Sequence, residues 1–187
     1  MNTAQSKVLR MQNSHTHHLL NRGRNRECVF FSELEKLFFL QLCEKHSKEA
    51  HCKIHAYCLM ANHFHLLITP EVPGALSTMM MNVLGQYAQW FNRMHMRSGS
   101  VWGTPFKSIA IDSDNYLLSC MRYIELNPCR AGLVINPEDY VWSSYLVNAF
   151  GNESSMIHFH NSYLDLASDF EARLFKYRIL CNDSGRY

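Results

Sequence analysis

Hydrophobic residues recur at helical spacing in three segments of the chain. The first follows a capping-box pattern at 32–35, and its apolar positions predict a helix over 33–50. The second is an apolar stripe from 76 to 91, which predicts a helix of more than four turns after Gly74. The third begins at 112–114, where polar residues can cap a helix, and is expected to end at Pro128.

Shorter segments with the composition and alternation of β-strands occur at 16–20, 54–60, 63–69 and 106–111. Ala61 and Asn62 can form a tight turn, so the second and third of these segments predict an antiparallel hairpin. The order of strands and helices predicts an α+β fold, with an antiparallel sheet covered by helices on one face. We expect residues 1–150 to form the main domain and residues 151–187 a short C-terminal helical extension.

The composition is that of a globular protein, with 47% hydrophobic and 18% charged residues in a chain of 187. No apolar stretch approaches the roughly 20 residues of a membrane-spanning helix, and residues 1–12 lack the apolar segment of a signal peptide. These patterns predict a cytoplasmic protein with no membrane partner. The seven cysteines are odd in number and form no C-x-x-C pair, which argues against a disulfide framework and a zinc knuckle.

The net charge is only +2, but the charges are distributed unevenly along the chain. Residues 131–172 contain six acids and no Lys or Arg, whereas residues 1–26 contain no acid. The basic side chains of the N-terminal segment are Lys7, Arg10, Arg22, Arg24 and Arg26. This asymmetry is consistent with a polyanionic partner, but taken by itself it is more typical of solvated surface charge.

Several basic residues are candidates for phosphate contacts. Arg22, Arg24 and Arg26 follow the first strand in a loop that Gly23 could hinge, and guanidinium groups there could position nucleic acid. Lys107 stands beside aromatic residues that could stack on bases, although such aromatics are as often buried. Arg122 and Arg130 flank the end of the third helix.

His63 and His65 are the first candidates for metal chemistry. Side chains alternate along a strand, so both imidazoles should project from one face while Phe64 projects from the other. Two neutral imidazoles side by side can bind a divalent metal and leave coordination positions open. The chain contains 11 histidines, and two other His-x-His pairs occur at 15/17 and 158/160, so such a pair can also arise by chance.

Tyr123 and Asn127 are four residues apart on the third predicted helix, and should therefore share a face outside its apolar stripe. A tyrosine hydroxyl can act as a nucleophile and form a covalent intermediate. A divalent ion nearby would stabilise the charge that develops in such a reaction on a phosphodiester. The alternative is structural, with a tyrosine at the edge of the core and an asparagine that caps the helix before Pro128.

Long segments of the sequence resemble the REP-associated tyrosine transposases, within the single-tyrosine transposases of the HUH superfamily. Residues 56–70 (AYCLMANHFHLLITP) are similar to the family block AYxLMPNHxHLLxxP. Residues 122–134 match RYIELNPxRAGLV, and residues 142–145 match WSSY. The similarity extends over about 15–150, with the blocks in the order of the family.

The resemblance implies a ferredoxin-like or RRM-like antiparallel sheet with helices packed on it. It implies that His63 and His65 bind Mg²⁺ or Mn²⁺, that Asn127 completes the metal site, and that Tyr123 is the nucleophile. The implied enzyme is a transposase that cleaves and rejoins single-stranded DNA, often beside a hairpin, through a 5′-phosphotyrosine. The active unit would be a monomer or a homodimer.

Two departures from the family pattern qualify the resemblance, and a second tyrosine is an alternative candidate for the nucleophile. Ala61 replaces the proline that the family usually has before Asn-His, which changes the turn but not the histidine pair. Thr104 and Pro105 occupy positions where an arginine is more frequent, which affects an expected DNA contact. Tyr116 lies seven residues before Tyr123 on a similar helix face, but lacks a polar residue four positions later.

Two other functions are compatible with these residues. The chain could bind hairpin DNA or RNA as a regulator without turnover, in which case binding would depend on salt and not on a chelator. It could also hydrolyse its substrate with a metal-activated water, which would leave no covalent adduct. The intact histidine pair and tyrosine favour the transposase.

Overall fold

The computed structural model describes residues 15–182, and Lys7 and Arg10 of the basic N-terminal segment lie outside this range. The described chain contains one four-stranded sheet of spatial order β2-β3-β1-β4, in which all neighbouring strands are antiparallel. The strands are β1 (His17–Arg22), β2 (Cys52–Met60), β3 (His63–Pro70) and β4 (Lys107–Ala110). The predicted hairpin is confirmed, with its turn at Ala61 and Asn62. The predicted α+β class is confirmed as well.

The three predicted helices are present. The helices are α1 (Glu33–Glu49), α2 (Ala75–Met94), α3 (Asp114–Glu125), α4 (Asn127–Arg130), α5 (Tyr145–Phe150), α6 (Asn161–Leu164) and α7 (Phe170–Asn182). Two short 3-10 turns occur at Arg24–Arg26 and Pro137–Asp139. The third helix ends at Glu125 and not at Pro128, because Leu126 separates it from α4, whose first turn contains the proline.

The expectation that helices cover one face of the sheet is wrong, because they pack on both faces. The cause lies in β2 and β3, whose alternating positions are apolar on each side. Tyr57 and Leu59 face one core, while Cys58 and Met60 face the other. A strand that is apolar on both sides is buried on both sides.

The first core lies between the sheet and helices α1 and α2. Phe64 and Leu66 of β3 contribute to it from the sheet, and Phe39, Tyr87 and Phe91 contribute from the helices. All five side chains are fully buried. This core gives β3 a fixed orientation, so that its other face carries His63 and His65.

The second core lies between the opposite face of the sheet and helix α3. Leu117, Met121 and Ile124 form the predicted apolar stripe of α3 and pack with Leu67 of β3. Helices α5, α6 and α7 extend this core through Tyr145, Tyr163 and Tyr177, all of which are buried. The histidine pair lies on the same face of the sheet as this core.

Glu125, the last residue of α3, is buried inside the second core. Its carboxylate accepts hydrogen bonds from Ser144, from Asn148 of α5 at 2.7 Å and from Tyr177 of α7 at 2.6 Å. The segment after residue 150 therefore contacts the helix that carries Tyr123. Within residues 15–182, no helix is long and apolar enough to cross a membrane.

Candidate active site

His63 and His65 project from the same face of β3, as the alternation of the strand predicts. Their ring centroids are 5.1 Å apart with the ring planes nearly perpendicular. Phe64, between them, is buried in the first core on the opposite side. Both imidazoles line a cavity of about 1110 Å³ between the sheet and the end of α3.

Tyr123 lines the same cavity from helix α3 and contacts one member of the histidine pair, His65. Its ring meets His65 edge-on with the ring centroids 5.8 Å apart, and 40% of the residue is exposed. The guanidinium carbon of Arg130 lies 4.8 Å above the ring centroid, which is cation–π distance. Tyr116, which is 53% exposed, also lines the cavity, but of these two tyrosines it is Tyr123 whose ring contacts His65.

Asn127 reaches the histidines even though it is not on the same regular helix as Tyr123. Helix α3 ends before Leu126, and Asn127 begins α4. The backbone continues to turn because the Leu126 amide donates to the carbonyl of Arg122. The Asn127 side-chain nitrogen lies 3.4 Å from Nε2 of His65. Tyr123 and Asn127 therefore line the same cavity, as their i, i+4 spacing predicted, but the regular helix breaks between them.

His18 is a third histidine at this site, and it was not among the residues predicted from the sequence. It lies on β1, is 8% exposed, and its Nε2 is 2.9 Å from Nδ1 of His65. Its ring stacks on His65 and meets the edge of Tyr123. Alternation along β1 places His18 on one face with Leu20 and Arg22, which also line the cavity, but only the pairing of β1 with β3 brings that face to His65.

Burial lowers the pKa of all three histidines, which favours the neutral imidazole. Burial lowers the pKa of His65 to about 3, with further contributions from His18, His63 and Arg22. Burial lowers the pKa of His18 to about 4. The pKa of His63 is also lowered, by burial and then by the Arg22 guanidinium, while a hydrogen bond with Asn127 opposes the shift. Neutral imidazole is the form that binds a metal.

The donor atoms at this site fit a divalent metal ion. Nδ1 of His63 contacts Oδ1 of Asn62 at 2.6 Å, and Nδ1 of His65 contacts Nε2 of His18. In each ring, Nε2 is therefore the nitrogen that could bind a metal. No group of three His, Cys, Asp or Glu side chains within residues 15–182 is placed to hold a metal. A third protein ligand beside this pair would therefore be the amide oxygen of Asn127, a hard donor of the kind that Mg²⁺ and Mn²⁺ favour.

The basic residues predicted to contact DNA fall into two groups. Those that line the cavity beside the histidines and Tyr123 are Arg22, Arg122 and Arg130. Those that lie outside the cavity lining are Arg24, Arg26 and Lys107. Lys107 is exposed on β4, where it pairs with Leu20 of β1.

The loop that was expected to hinge at Gly23 is held by backbone hydrogen bonds. The Gly23 amide donates to the carbonyl of Asn62 at 2.8 Å, and the Arg24 amide donates to Val101 at 2.9 Å. A Cβ at Gly23 would lie 2.2 Å from the carbonyl oxygen of Glu27. Glycine is therefore required here for close packing, and the loop fixes Arg22 and Asn62 next to His63.

The chain is similar to known proteins both in sequence and in fold. The family described as "Transposase IS200 like" matches residues 11–127. A REP-associated tyrosine transposase bound to a REP hairpin has a TM-score of 0.64 and 19% identity, over 79% of this chain and 87% of that chain. A putative transposase from Deinococcus radiodurans R1 has a TM-score of 0.44 and 15% identity, over 59% of this chain and 88% of that chain. The comparison with curated proteins finds no match.

The structural likeness to the REP-associated tyrosine transposase confirms the expected fold: a four-stranded antiparallel sheet with helices packed on it. The family match extends over more than half of the chain and includes His63, His65, Tyr123 and Asn127. The chain therefore belongs to the IS200-like transposase family, as its sequence blocks indicated.

Proposed function

We propose that this chain is a metal-dependent DNA transposase that cleaves and rejoins single-stranded DNA through a covalent tyrosine intermediate. Membership of the IS200-like family supports transposition. The observation that carries the finer proposal is the packing of the Tyr123 ring against His65, inside a cavity that also contains Asn127 and three arginines. A candidate nucleophile, metal-binding side chains and cationic groups thus share one cavity.

Tyr123 is the nucleophile in this proposal. Its phenol oxygen attacks the scissile phosphorus, the bond from phosphorus to the 3′-oxygen breaks, and the products are a 5′-phosphotyrosine and a free 3′-hydroxyl. The phenol proton leaves to solvent, and the departing 3′-oxygen takes up a proton. Rejoining is the reverse attack by a 3′-hydroxyl, so the energy of the phosphodiester is conserved in the phosphotyrosyl bond.

His63, His65 and Asn127 would hold a divalent ion, Mg²⁺ or Mn²⁺, which would supply neutralisation of charge at the scissile phosphate. Arg22, Arg122 and Arg130 line the same cavity and would bind the phosphates on either side of the cleaved bond. The exposed residues Arg24, Arg26 and Lys107 would contact the DNA outside the cavity.

The proposed partner is single-stranded DNA beside a hairpin, and the proposed location is the cytoplasm. The related transposase of known structure is bound to a REP hairpin, which supports a hairpin ligand for this chain as well. The proposed active unit is a single chain, because Tyr123 contacts His65 of the same chain; a homodimer is the alternative.

The direct test is a search for the covalent adduct. The purified chain is incubated with labelled single-stranded oligonucleotides from the DNA that flanks its gene, with Mg²⁺ or Mn²⁺, and analysed on a denaturing gel. We expect an adduct with the native chain that is lost in Tyr123→Phe and lost when the metal is chelated. Tyr116→Phe is the matched control, because Tyr116 lines the same cavity from the same helix, and it should retain the adduct.

The outcomes separate the competing functions. An adduct in Tyr123→Phe that disappears in Tyr116→Phe would show that the nucleophile is wrongly assigned. Cleavage without an adduct would indicate hydrolysis by an activated water. Binding of hairpin DNA that resists chelation, with neither adduct nor cleavage, would indicate a regulator that binds nucleic acid without turnover.

A further inference from the structure

We infer that His18 is a positioning residue that sets the tautomer of His65. This inference rests on the proposed function, in which His65 binds the metal. Its basis is the contact between Nε2 of His18 and Nδ1 of His65 at 2.9 Å, with the two rings stacked and their centroids 5.1 Å apart. The proposal is that His65 donates its Nδ1 proton to His18, so that the lone pair on its Nε2 faces Asn127.

The direction of this hydrogen bond follows from the atoms on either side of the His65 ring. Two neutral imidazoles share one proton in such a bond, so either ring can be the donor. If His18 donated, His65 would carry its own proton on Nε2, where the Asn127 side-chain nitrogen lies 3.4 Å away and is also a donor. If His65 donates, its Nε2 is an acceptor and the two contacts are compatible. The same tautomer is the one that can bind a metal through Nε2.

The tautomer of His63 follows from a different contact, with Asn62. Its Nδ1 lies 2.6 Å from Oδ1 of Asn62. The orientation of the Asn62 amide is set by its nitrogen, which donates to the carbonyl of Arg26 at 3.1 Å. An amide oxygen can only accept, so His63 must carry its proton on Nδ1. In both rings of the pair, Nδ1 is thus held by a neighbour outside the pair.

His18 is suited to this role by its place in the fold. It lies on the central strand β1, directly beside β3, and is almost completely buried. Its ring also meets the edge of Tyr123, with the ring centroids 6.0 Å apart. One side chain thus contacts both a proposed metal ligand and the proposed nucleophile, although it touches neither the DNA nor the metal in the proposed reaction.

The first test reads the tautomer of His65 in the metal-free native chain. Long-range ¹H–¹⁵N spectra distinguish a proton on Nδ1 from a proton on Nε2, and His65→Gln identifies the resonances. We expect the Nδ1–H form in the native chain. A His65 ring that carries its proton on Nε2 would overturn the inference without any substitution of His18.

The second test compares two variants of similar size. Glutamine at position 18 can place an oxygen where Nε2 of the imidazole lies and can accept the proton, whereas leucine cannot. We expect His18→Leu to shift the His65 tautomer and weaken Mn²⁺ binding in calorimetry about 10- to 100-fold, and His18→Gln to stay within about threefold of the native chain. Thermal melts of both variants measure folding. If the leucine variant does not fold, His18→Asn, whose shorter side chain does not reach His65, replaces it.

These measurements separate the inference from the proposed function. Equal Mn²⁺ affinity in the native chain and in folded His18→Leu would overturn the role of His18, while the adduct assay could still support the transposase. Loss of affinity in His18→Leu, in a native chain that forms no adduct with DNA, would support the role of His18 and count against the proposed reaction. A native chain that binds no Mn²⁺ at all would overturn both.

Discussion

Glu125 is a buried acid whose titration should be visible in the stability of the whole chain. It lies between Tyr123 and Asn127 in sequence, but its side chain points into the second core and accepts three hydrogen bonds. Burial raises its pKa from 4.5 to about 7, although the bonds from Ser144, Tyr177 and Asn148 act in the opposite direction. The folded chain therefore holds a proton on Glu125 over a pH range in which the unfolded chain has lost it.

We predict that Glu125→Gln becomes more stable relative to the native chain as the pH rises from about 4.5 to 7. Between these values the folded state binds more protons at Glu125 than the unfolded state, so the native stability falls with rising pH, by up to about 3 kcal/mol. His18 and His65 titrate with the opposite sign in an overlapping range, because their folded pKa values are lowered. The difference between the two proteins, measured by urea denaturation, isolates Glu125. A difference that does not change with pH would contradict the prediction.

The candidate site residues that could be predicted from the sequence are those with a characteristic spacing within one strand or one helix. His63 and His65 alternate on one strand, and Tyr123 and Asn127 are one helical turn apart. His18 could not be found in the same way, because its contact with His65 depends on the register between β1 and β3, where Leu20 and not His18 pairs directly with His65. Such a diagonal contact requires the strand pairing to be known.

The turn between β1 and α1 shows how an element fixes the site. Gly23 has an extended backbone conformation that any residue could adopt, so its requirement for glycine arises from packing alone. A Cβ there would meet the Glu27 carbonyl at 2.2 Å and Val29 at 2.8 Å. The contacts of this turn reach Asn62, and through it His63.

We predict that Gly23→Ala destabilises the chain by about 1–3 kcal/mol, because the added methyl group overpacks the turn. Gly85→Ala is the matched control, since Gly85 lies inside α2 and a Cβ there meets nothing within 4 Å. The control should be stabilised by roughly 0.5–1 kcal/mol, the usual gain for glycine to alanine within a helix. Chemical denaturation of the three proteins gives both values. An alanine at position 23 as stable as glycine would mean that the turn is not tightly packed.

Elements were predicted well where the pattern is periodic and the chain lies against a core. Helices α1 and α2 and the β2–β3 hairpin agree with the sequence to within three residues. The helices after residue 144 were less defined, because they pack through tyrosines and not through an aliphatic stripe. Tyr163 and Tyr177 bury their rings while their hydroxyls donate to the Asn148 carbonyl and to Glu125. An amphipathic residue of this kind does not indicate from sequence which face is buried.

At the scale of the molecule, the sheet separates two hydrophobic cores, of which the first is closed and the second has a cavity at one end. Helices α1 and α2 close the first face. On the second face, α3 and the C-terminal helices cover β2 and β3, and the cavity with the histidine pair lies at the end of α3. The sequence predicted helices on one face only, because the hydrophobic pattern of a helix does not show which face of the sheet it covers. Hydrogen bonds to Glu125 connect α3, the helix that carries Tyr123, to α5 and α7 of the same chain. These bonds oppose an exchange of α3 between two copies of the chain.

The same arrangement predicts that one chain contains a complete active site. Tyr123 and His65 contact each other within one chain, with their ring centroids 5.8 Å apart. We therefore expect that a mixture of Tyr123→Phe with His65→Ala forms no covalent adduct with single-stranded DNA, since each chain lacks one essential group. If two copies exchanged their α3 helices, one of the two sites in a heterodimer of the variants would contain both His65 and Tyr123. The adduct would then reappear. Light scattering on the native chain and on the mixture shows whether dimers form, and mixing after partial unfolding and refolding gives exchange every opportunity to occur. An adduct restored in the mixture, with both variants inactive alone, would show that the active unit is a dimer with shared sites.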